Sequence, residues 1–556
     1  MKKIKAAAFA SLAIVIFGLS ILKLHSQERP NIIFILTDDQ SFGMLGCEGN
    51  PIVQTPNIDR LATDGIRFTN AHITSAICTP SRISILLSQY ERKHGVNFNS
   101  GTSVSDEAWE QSYPMVMRKA GYYTGWIGKN HAPIGNGGYI SGVMEKSFDY
   151  WYAGHGHIGF YPKERHEIFK DAKASTQVEV INEGVNDFID NNERRLKGAV
   201  HFLDERPEDK PFMLSINFNL PHGAGTRSME MRETDEDIYK TLYRDLEMPL
   251  PENYIAKADI KMPKLPADLL RVEDRQNIYN YVDTPESFRE RYTRQLQAMT
   301  GIDRLVGNLR KKLKDLKIDK NTIIIFTSDH GLFMGEQGLG GKSLCYEKTT
   351  HVPMIIMNPK VKRKYRGVTS DALVQSIDVA PTMLAYAGID QPSSFQGQNI
   401  SHLVEGGDEN VRDYLFTENL WSTQFGNPRC EAVQDKEWKY IRYYKNTTFP
   451  ASKNIKAAKT LGIDVTKMLY AVHDPAIAVY RDYIESPLQG EEPVYEELYN
   501  LKEDPNELKN LVDNKDYERV LNTLKKAWKE KITMARGTEA PKVLRYTNDS
   551  HPKGGH

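Results

Sequence analysis

Two adjacent carboxylates, Asp38 and Asp39, stand directly after the apolar run Ile32–Leu36, with Thr37 between. Neighbouring acids repel each other unless a cation lies between them or water screens both. An acid–imidazole pair, Asp329-His330, follows a second apolar run, Thr322 to Thr327. Three carboxylates suit a hard divalent ion, Ca²⁺ ahead of Mg²⁺, although an imidazole nitrogen is not a preferred Ca²⁺ ligand. The bland alternative for an Asp-Asp dipeptide is a solvated loop.

A different chemistry is offered by Cys78-Thr79-Pro80-Ser81-Arg82, which precedes the apolar Ile83–Leu87. Pro80 and Ser81 suit the start of a helix. Cys78 would then lie beside backbone N–H groups with no intrahelical partner and the positive end of the helix dipole, a natural anion site. A buried structural thiol is the commoner fate of a lone cysteine.

These residues need a scaffold that brings them together. Ile32–Leu36 is apolar and β-branched, as expected of a parallel strand covered on both faces. Tyr122 to Ile127 leads into Gly128-Lys129-Asn130-His131, and Phe212 to Phe218 leads to Leu220-Pro221-His222. Thr322 to Thr327 leads into Ser328-Asp329-His330-Gly331. Chemically capable residues thus arrive four times where a hydrophobic strand stops. Open α/β sheets bind ligands beyond the carboxyl ends of their strands, so the four endings point to one site.

Helices should separate the strands. Leu296, Met299, Ile302, Leu305, Leu309, Leu313 and Leu316 recur at helical spacing, and a short helix near Asp378 and Pro381 stops at Gly388. Beyond about residue 408 the texture changes to short aromatic segments, Val433 to Tyr444 and Tyr495 to Leu501, then a charged helix from Tyr517 to Met534. The fold class expected is α/β: a large, mixed, mostly parallel sheet sandwiched by helices, with a smaller C-terminal antiparallel sheet and terminal helix. The expected division is 1–27 as leader, 28–408 as catalytic domain and 409–556 as C-terminal subdomain.

The formal net charge of -1 gives no global field for nucleic acid or an anionic membrane. Lys2, Lys3 and Lys5 precede an apolar run from Ala6 to Leu22, which reads as a secretory signal, with an uncleaved N-terminal anchor as the alternative. The mature chain would be periplasmic or extracellular, with no transmembrane segment. Four cysteines, Cys47, Cys78, Cys345 and Cys430, are too few for a disulfide framework. With Cys78 committed to chemistry, one bridge at most remains, its partners undetermined.

Cys-x-Pro-Ser-Arg followed by an apolar run resembles the signature of the formylglycine-dependent, type I sulfatases of the alkaline-phosphatase-like superfamily. Asp38-Asp39, Gly128-Lys129-x-His131, Pro221-His222, Asp329-His330-Gly331 and Gly341-Lys342 match in the same order. Tyr346-Glu347 to Val352-Pro353 and Glu497–Leu501 also match, so the resemblance runs from about Asn31 to Leu511. Ser88-Gln89 depart from the family's usual Thr and Gly after the apolar run, and Asn130 replaces a frequent aromatic.

The resemblance implies that a formylglycine-generating or sulfatase-maturating enzyme oxidises Cys78 to an aldehyde. It implies a divalent ion held by Asp38, Asp39, Asp329, His330 and the modified residue 78. The hydrated aldehyde attacks sulfur in line, His222 protonates the leaving oxygen with Lys342 assisting, and His131 takes the proton that lets sulfate depart. Arg82, Lys129 and Lys342 hold sulfate oxygens, or Arg82 clamps the diol. The resemblance is closer to carbohydrate sulfatases, making a sulfated carbohydrate or polysaccharide fragment the expected substrate. Trp151 to His166, with His155, His157, Tyr161, Lys163 and Arg165, and Gly223 to Arg291 are the expected specificity segments. The alternatives are a phosphonate monoester or phosphodiester hydrolase and a non-catalytic glycan-binding protein.

Overall fold

The structure is a computed structural model. It describes residues 29–97, 102–135, 138, 141–155, 159–160, 187–189, 195–222, 241–270, 280–407, 410–420, 427–445, 484–539 and 543–545. The leader, most of the 151–166 segment and residues 223–240 and 271–279 lie outside them.

The main sheet has nine strands: β1 (Asn31–Asp38), β2 (Ile66–His72), β3 (Tyr123–Lys129), β4 (Tyr150–His155), β5 (Gly159–Phe160), β6 (Phe212–Pro221), β7 (Thr322–Ser328), β8 (Met354–Met357) and β9 (Val368–Gln375). Their order across the sheet is β9-β2-β8-β7-β1-β6-β3-β4-β5. The central block β7-β1-β6-β3-β4 is parallel throughout, whereas β8 runs antiparallel to both β7 and β2. β1 is buried along its whole length, which explains its unbroken apolar sequence.

Two groups of helices cover the sheet. Pro56–Asp64 (α1) packs beside the 31-residue helix Pro285–Asp315, which lies against β6. Cys78–Leu87 (α2) packs with Val379–Tyr386 in the second group. The long helix starts about three turns before the leucine stripe that announced it. Thr284 caps it by accepting from Ser287 N at 3.2 Å while Ser287 Oγ accepts from Thr284 N at 3.1 Å. Its first turns, rich in Arg and Glu, extend the apolar spacing through Phe288 and Tyr292, which stack on each other and belong to a smaller apolar cluster.

A second sheet is antiparallel throughout, with neighbouring strands Leu415–Asn419 (β10), Arg429–Gln434 (β11), Trp438–Tyr444 (β12) and Tyr495–Asn500 (β13). The segment Val433 to Tyr444, read as one element, is therefore a hairpin that turns at Asp435, whose carboxylate accepts from Glu437 N and Trp438 N. The terminal helix Glu518–Arg536 packs Leu524, Trp528 and Ile532 into a core shared with Phe416, Val433, Tyr440 and Leu498. No helix among the described residues is long and apolar enough to cross a membrane.

Trp151 corrects an expectation. It is 1% exposed and belongs to the main core, as do Tyr150 and Ala153. The start of the 151–166 segment is thus core strand, unavailable to a ligand; His157, Tyr161, Lys163 and Arg165 lie outside the described residues.

Candidate active site

Parallel register brings the strand ends to one edge. Thr37 pairs with Ser328, Asp38 with Pro221, and Gly128 with Asn217. The acids, Lys129 and His222 therefore emerge side by side. Gly128 is needed for this closeness: its φ is 88°, and a Cβ there would lie 2.0 Å from Asn217 O. The loops beyond are tied together. Asp39 N donates to Asp329 Oδ1 at 3.2 Å, Gln40 N to Ser328 Oγ at 3.1 Å, and His222 N to Asp38 O at 3.1 Å.

Cys78 is the first residue of α2, with Ile77 as its extended N-cap. Ser81 does not cap this helix; its hydroxyl donates to Asp329 O at 2.5 Å. The helix end is thereby fastened to the loop after β7. Cys78 Sγ lies 3.0 Å from Lys342 Nζ, 3.1 Å from His330 Nε2 and 3.9 Å from Asp38 Oδ1. Burial alone would raise the thiol's pKa, but Lys129, Lys342 and His330 outweigh it and hold Cys78 below its ordinary value. An anion is favoured at this position.

Cations interleave with the acids. Lys129 Nζ donates to Asp38 Oδ2 at 2.6 Å, Lys342 Nζ to Asp39 Oδ1 at 2.9 Å, and Arg82 Nε to Asp329 Oδ2 at 2.9 Å. His330 Nδ1 is 3.3 Å from Asp39 Oδ1, and His222 Nε2 is 3.5 Å from Asp39 Oδ2. His131 is buried at the end of the loop after β3. All six residues proposed for catalysis thus lie on elements that end at this edge, with Asp38, Asp39, Asp329 and His330 among them. Asp39, His131 and Ser343, next to Lys342, have positive φ values of 64°, 44° and 73°. Backbone strain of this kind clusters where geometry serves function.

The donor set fits a divalent ion. Asp38, Asp39, Cys78 and His330 offer ligand atoms all within 4.8 Å of one another. Asp329 sits at the rim, its carboxylate shared by Arg82 and Asp39 N. Asp39 Oδ2 is buried without a hydrogen bond, and burial raises the Asp39 pKa more than Lys342 and His330 lower it. Burial opposes the charge on His330, yet Asp329, Cys78 and Asp39 push its pKa up to about 9. An imidazolium here fills the role a cation would take, so protonation and metal ligation compete for the same nitrogen.

A second group, His72, Glu347 and His351, has similar ligand types. Its carboxylate already accepts from Lys439 Nζ at 2.8 Å and Gln434 Nε2 at 3.0 Å, which makes it a junction between the sheets. Gln40 and Asn427, whose Nδ2 donates to Lys342 O at 2.6 Å, support the site and were not singled out by sequence, whereas Ser81 was read only as a helix-start residue. For Gln40, the available signal was adjacency to Asp38-Asp39.

The sulfatase family model matches residues 30–389, more than half of the chain. The chain belongs to the sulfatase family. A model for the C-terminal part of N-sulphoglucosamine sulphohydrolase matches residues 335–453. This sulfatase is 26% identical over 542 residues to an N-acetylglucosamine-6-O-sulfatase of Bacteroides thetaiotaomicron, covering 89% of this chain and 85% of that one. It is 25% identical to an arylsulfatase of Clostridium perfringens, covering 90% and 93%. Among solved structures, a protein in complex with its substrate D-glucosamine-2-N,6-O-disulfate superposes with a TM-score of 0.65 at 23% identity, covering 92% of this chain and 99% of that one. A phosphonate monoester hydrolase of Agrobacterium radiobacter reaches 0.62 at 18% identity, covering 91% and 96%. Both structural likenesses show the shared fold.

Proposed function

We propose that this sulfatase removes sulfate from a sulfated carbohydrate, with Cys78 as the residue that is oxidised to formylglycine. One observation carries the reading: Cys78 begins a buried helix within reach of Lys342, His330 and Asp38. Relatives that match over most of the chain include the N-acetylglucosamine-6-O-sulfatase and an ulvan-active sulfatase of Formosa agariphila, which supports a sugar substrate.

The hydrated aldehyde supplies an oxygen nucleophile, and a divalent ion held by Asp38, Asp39, Asp329 and His330 supplies Lewis acidity that favours its ionised form; Ca²⁺ is proposed ahead of Mg²⁺ for this oxygen-rich set. The chain's own residues do the rest. Three carboxylates and three permanent cations, Arg82, Lys129 and Lys342, balance formally. Adding a divalent ion leaves an excess of positive charge, which an anionic sulfate ester offsets. Lys129 and Lys342 flank Cys78 and draw the sulfate oxygens toward it. Arg82 positions the Asp329 loop through its 2.9 Å contact. His222 is the only partly exposed member of the proposed set, so it is placed to meet the departing alcohol and protonate its oxygen. His131, buried beyond the end of the neighbouring strand β3, is the proposed acceptor of the proton whose loss releases sulfate.

We further propose residues 1–27 as a cleaved leader, hence a periplasmic or extracellular protein, and a division near residue 408 between catalytic and C-terminal parts. The direct test of function incubates the matured enzyme with sulfated mono- and oligosaccharides and, in parallel, a phosphodiester and a phosphonate monoester. Sulfate release from a sugar, faster than cleavage of either phosphorus ester, is expected. The reverse order of rates would favour the phosphonate reading.

A further inference from the structure

Two thiols outside the catalytic cluster face each other. Cys345 Sγ and Cys430 Sγ are 3.4 Å apart, and both residues are fully buried. Cys345 lies three positions after Lys342, while Cys430 sits on β11 of the second sheet. They share one hydrophobic cluster with Phe333, Tyr346, Ile441 and Tyr443. Cys47, the remaining thiol apart from Cys78, packs against the main core instead. Burial, with Glu48 and Asp59, pushes its pKa far up, so it is a poor nucleophile. Of the pairings open to Cys47, Cys345 and Cys430, the contact among the described residues selects one.

We propose that Cys345 and Cys430 form a disulfide that joins the Lys342 segment to the second sheet. The pairing rests on the sulfur contact; its oxidant rests on the export reading above. The Cys345 thiolate attacks the disulfide of an oxidised dithiol oxidoreductase, forming a mixed disulfide and expelling one of that protein's thiolates. The Cys430 thiolate then attacks the Cys345 sulfur and expels the second. Two electrons and two protons pass to the oxidoreductase, which leaves as a dithiol.

Burial drives the Cys345 pKa well above its ordinary value, so oxidation proceeds before the cluster closes over the sulfurs. A bond of about 2.05 Å requires the sulfurs to approach by roughly 1.4 Å, within the reach of two χ1 adjustments. The consequence is local as well as global. Asn427 Nδ2 already donates to Lys342 O from the same side, and Cys430 Sγ approaches Ser343 O at 3.8 Å. The cross-link would fix this segment covalently and restrict the unfolded chain between its ends.

The test produces the full chain by two routes: in a host with an oxidising cytoplasm, and by export. Each sample is denatured without reductant, treated with N-ethylmaleimide, digested and weighed. In both, the peptides bearing Cys345 and Cys430 should appear as one linked species, two hydrogens lighter than their sum, that reductant separates, while Cys47 is alkylated. Alkylation of both Cys345 and Cys430 in the oxidising cytoplasm, or linkage of either to Cys47, overturns the pairing. An exported-route product that stays in the cytoplasm with residues 1–27 attached overturns the export reading, while the first sample still decides the pair. As a second measurement, reductant should lower the melting temperature of the native protein by a few degrees and leave the C345S/C430S variant unmoved. Equal shifts in both proteins would also overturn the pairing.

Discussion

Two buried clusters of acids and bases in this protein use the same side-chain types to opposite ends. At one, Arg92 joins α2's neighbourhood to the second sheet. Its Nε donates to Glu418 Oε2 at 3.0 Å, its backbone N to Glu418 Oε1 at 2.9 Å, and its Nη2 to Glu431. Glu431 Oε2 also accepts from Trp528 Nε1 at 2.8 Å and Tyr444 OH at 3.1 Å. No buried side-chain nitrogen or oxygen of Arg92, Glu418 or Glu431 is without a hydrogen bond. At the strand ends, by contrast, Asp39 Oδ2 and Arg82 Nη2 are buried with no hydrogen bond, and Asp39 and His131 have positive φ. A saturated network specifies structure; one that keeps unmet polar atoms holds capacity for a ligand. The chemistry is legible from this difference without reference to any relative.

The largest expected effect separates the clusters by activity. Cys78→Ala should lower kcat/KM for a sulfate ester by about 10⁴-fold or more, since it removes the nucleophile outright. Its melting temperature should stay within about 2 °C of the parent, because only one sulfur leaves a packed site. Steady-state assays and calorimetry on the same preparation check both. Retention of full turnover by Cys78→Ala would sink the proposed mechanism.

Arg92→Met should do the converse. It strands two buried carboxylates, which costs about 3–5 kcal/mol of stability, while kcat of the folded fraction stays within about twofold. Urea titration and active-site-normalised kinetics measure the two quantities. Replacing Glu418 and Glu431 by Gln in the same chain should recover much of the loss, because the uncompensated charges go with them. No recovery would mean that packing around Arg92, and not charge pairing, holds this junction.

The contrast between the clusters also explains what sequence reading reached. The four strand ends were legible because β1 and β7 are near-continuous apolar runs, β3 and β6 are apolar at most positions, and each runs into a cluster of chemically capable residues. Arg92, Glu418 and Glu431 carried no such mark: the partners stand 326 and 339 positions apart, and ordinary charged residues surround them in the chain. Only tertiary packing makes them a unit. The N-terminal turns of Pro285–Asp315 were missed because only Phe288 and Tyr292 continue the stripe among crowded Arg and Glu, and the Asp435 turn because aromatic residues follow it closely. The expected specificity segment was begun too early, at Trp151, because a large aromatic suits a core strand as well as a ligand-facing loop and its sequence does not tell the two apart.

Asp39→Asn sharpens the comparison at an intermediate scale. Removing a buried, underpaired charge should leave metal-free stability within about 1 kcal/mol of the parent, since the lost Lys342 contact is set against a lost desolvation cost. Turnover should fall about 10²- to 10³-fold. Added Ca²⁺ should raise the melting temperature of the parent after chelation and leave the variant nearly unchanged. A large destabilisation of the chelated variant would place Asp39 with the structural cluster, against the present assignment.

The smallest effect concerns His94, which lies between the clusters and titrates with neither. Its Nδ1 accepts from Val96 N at 3.1 Å, so the ring proton of the neutral form is on Nε2, which faces Ser84 Oγ at 3.1 Å. A second proton at Nδ1 would oppose the Val96 N–H. Burial, which disfavours the charged ring, lowers its pKa to about 3 from the ordinary 6.5. Because the folded value lies below the unfolded one, the unfolded chain binds the extra proton first. The stability attached to neutral His94 is complete above pH 6.5 and declines as pH falls toward 3, with a slope approaching about 1.4 kcal/mol per pH unit within that window. His94→Gln keeps polar groups for both contacts and cannot protonate. Its urea stability measured from pH 7 down to 4 should fall less steeply than the parent's by up to one proton's worth of slope. Parallel curves would show that His94 is protonated in the folded protein, and that Val96 N then has another partner.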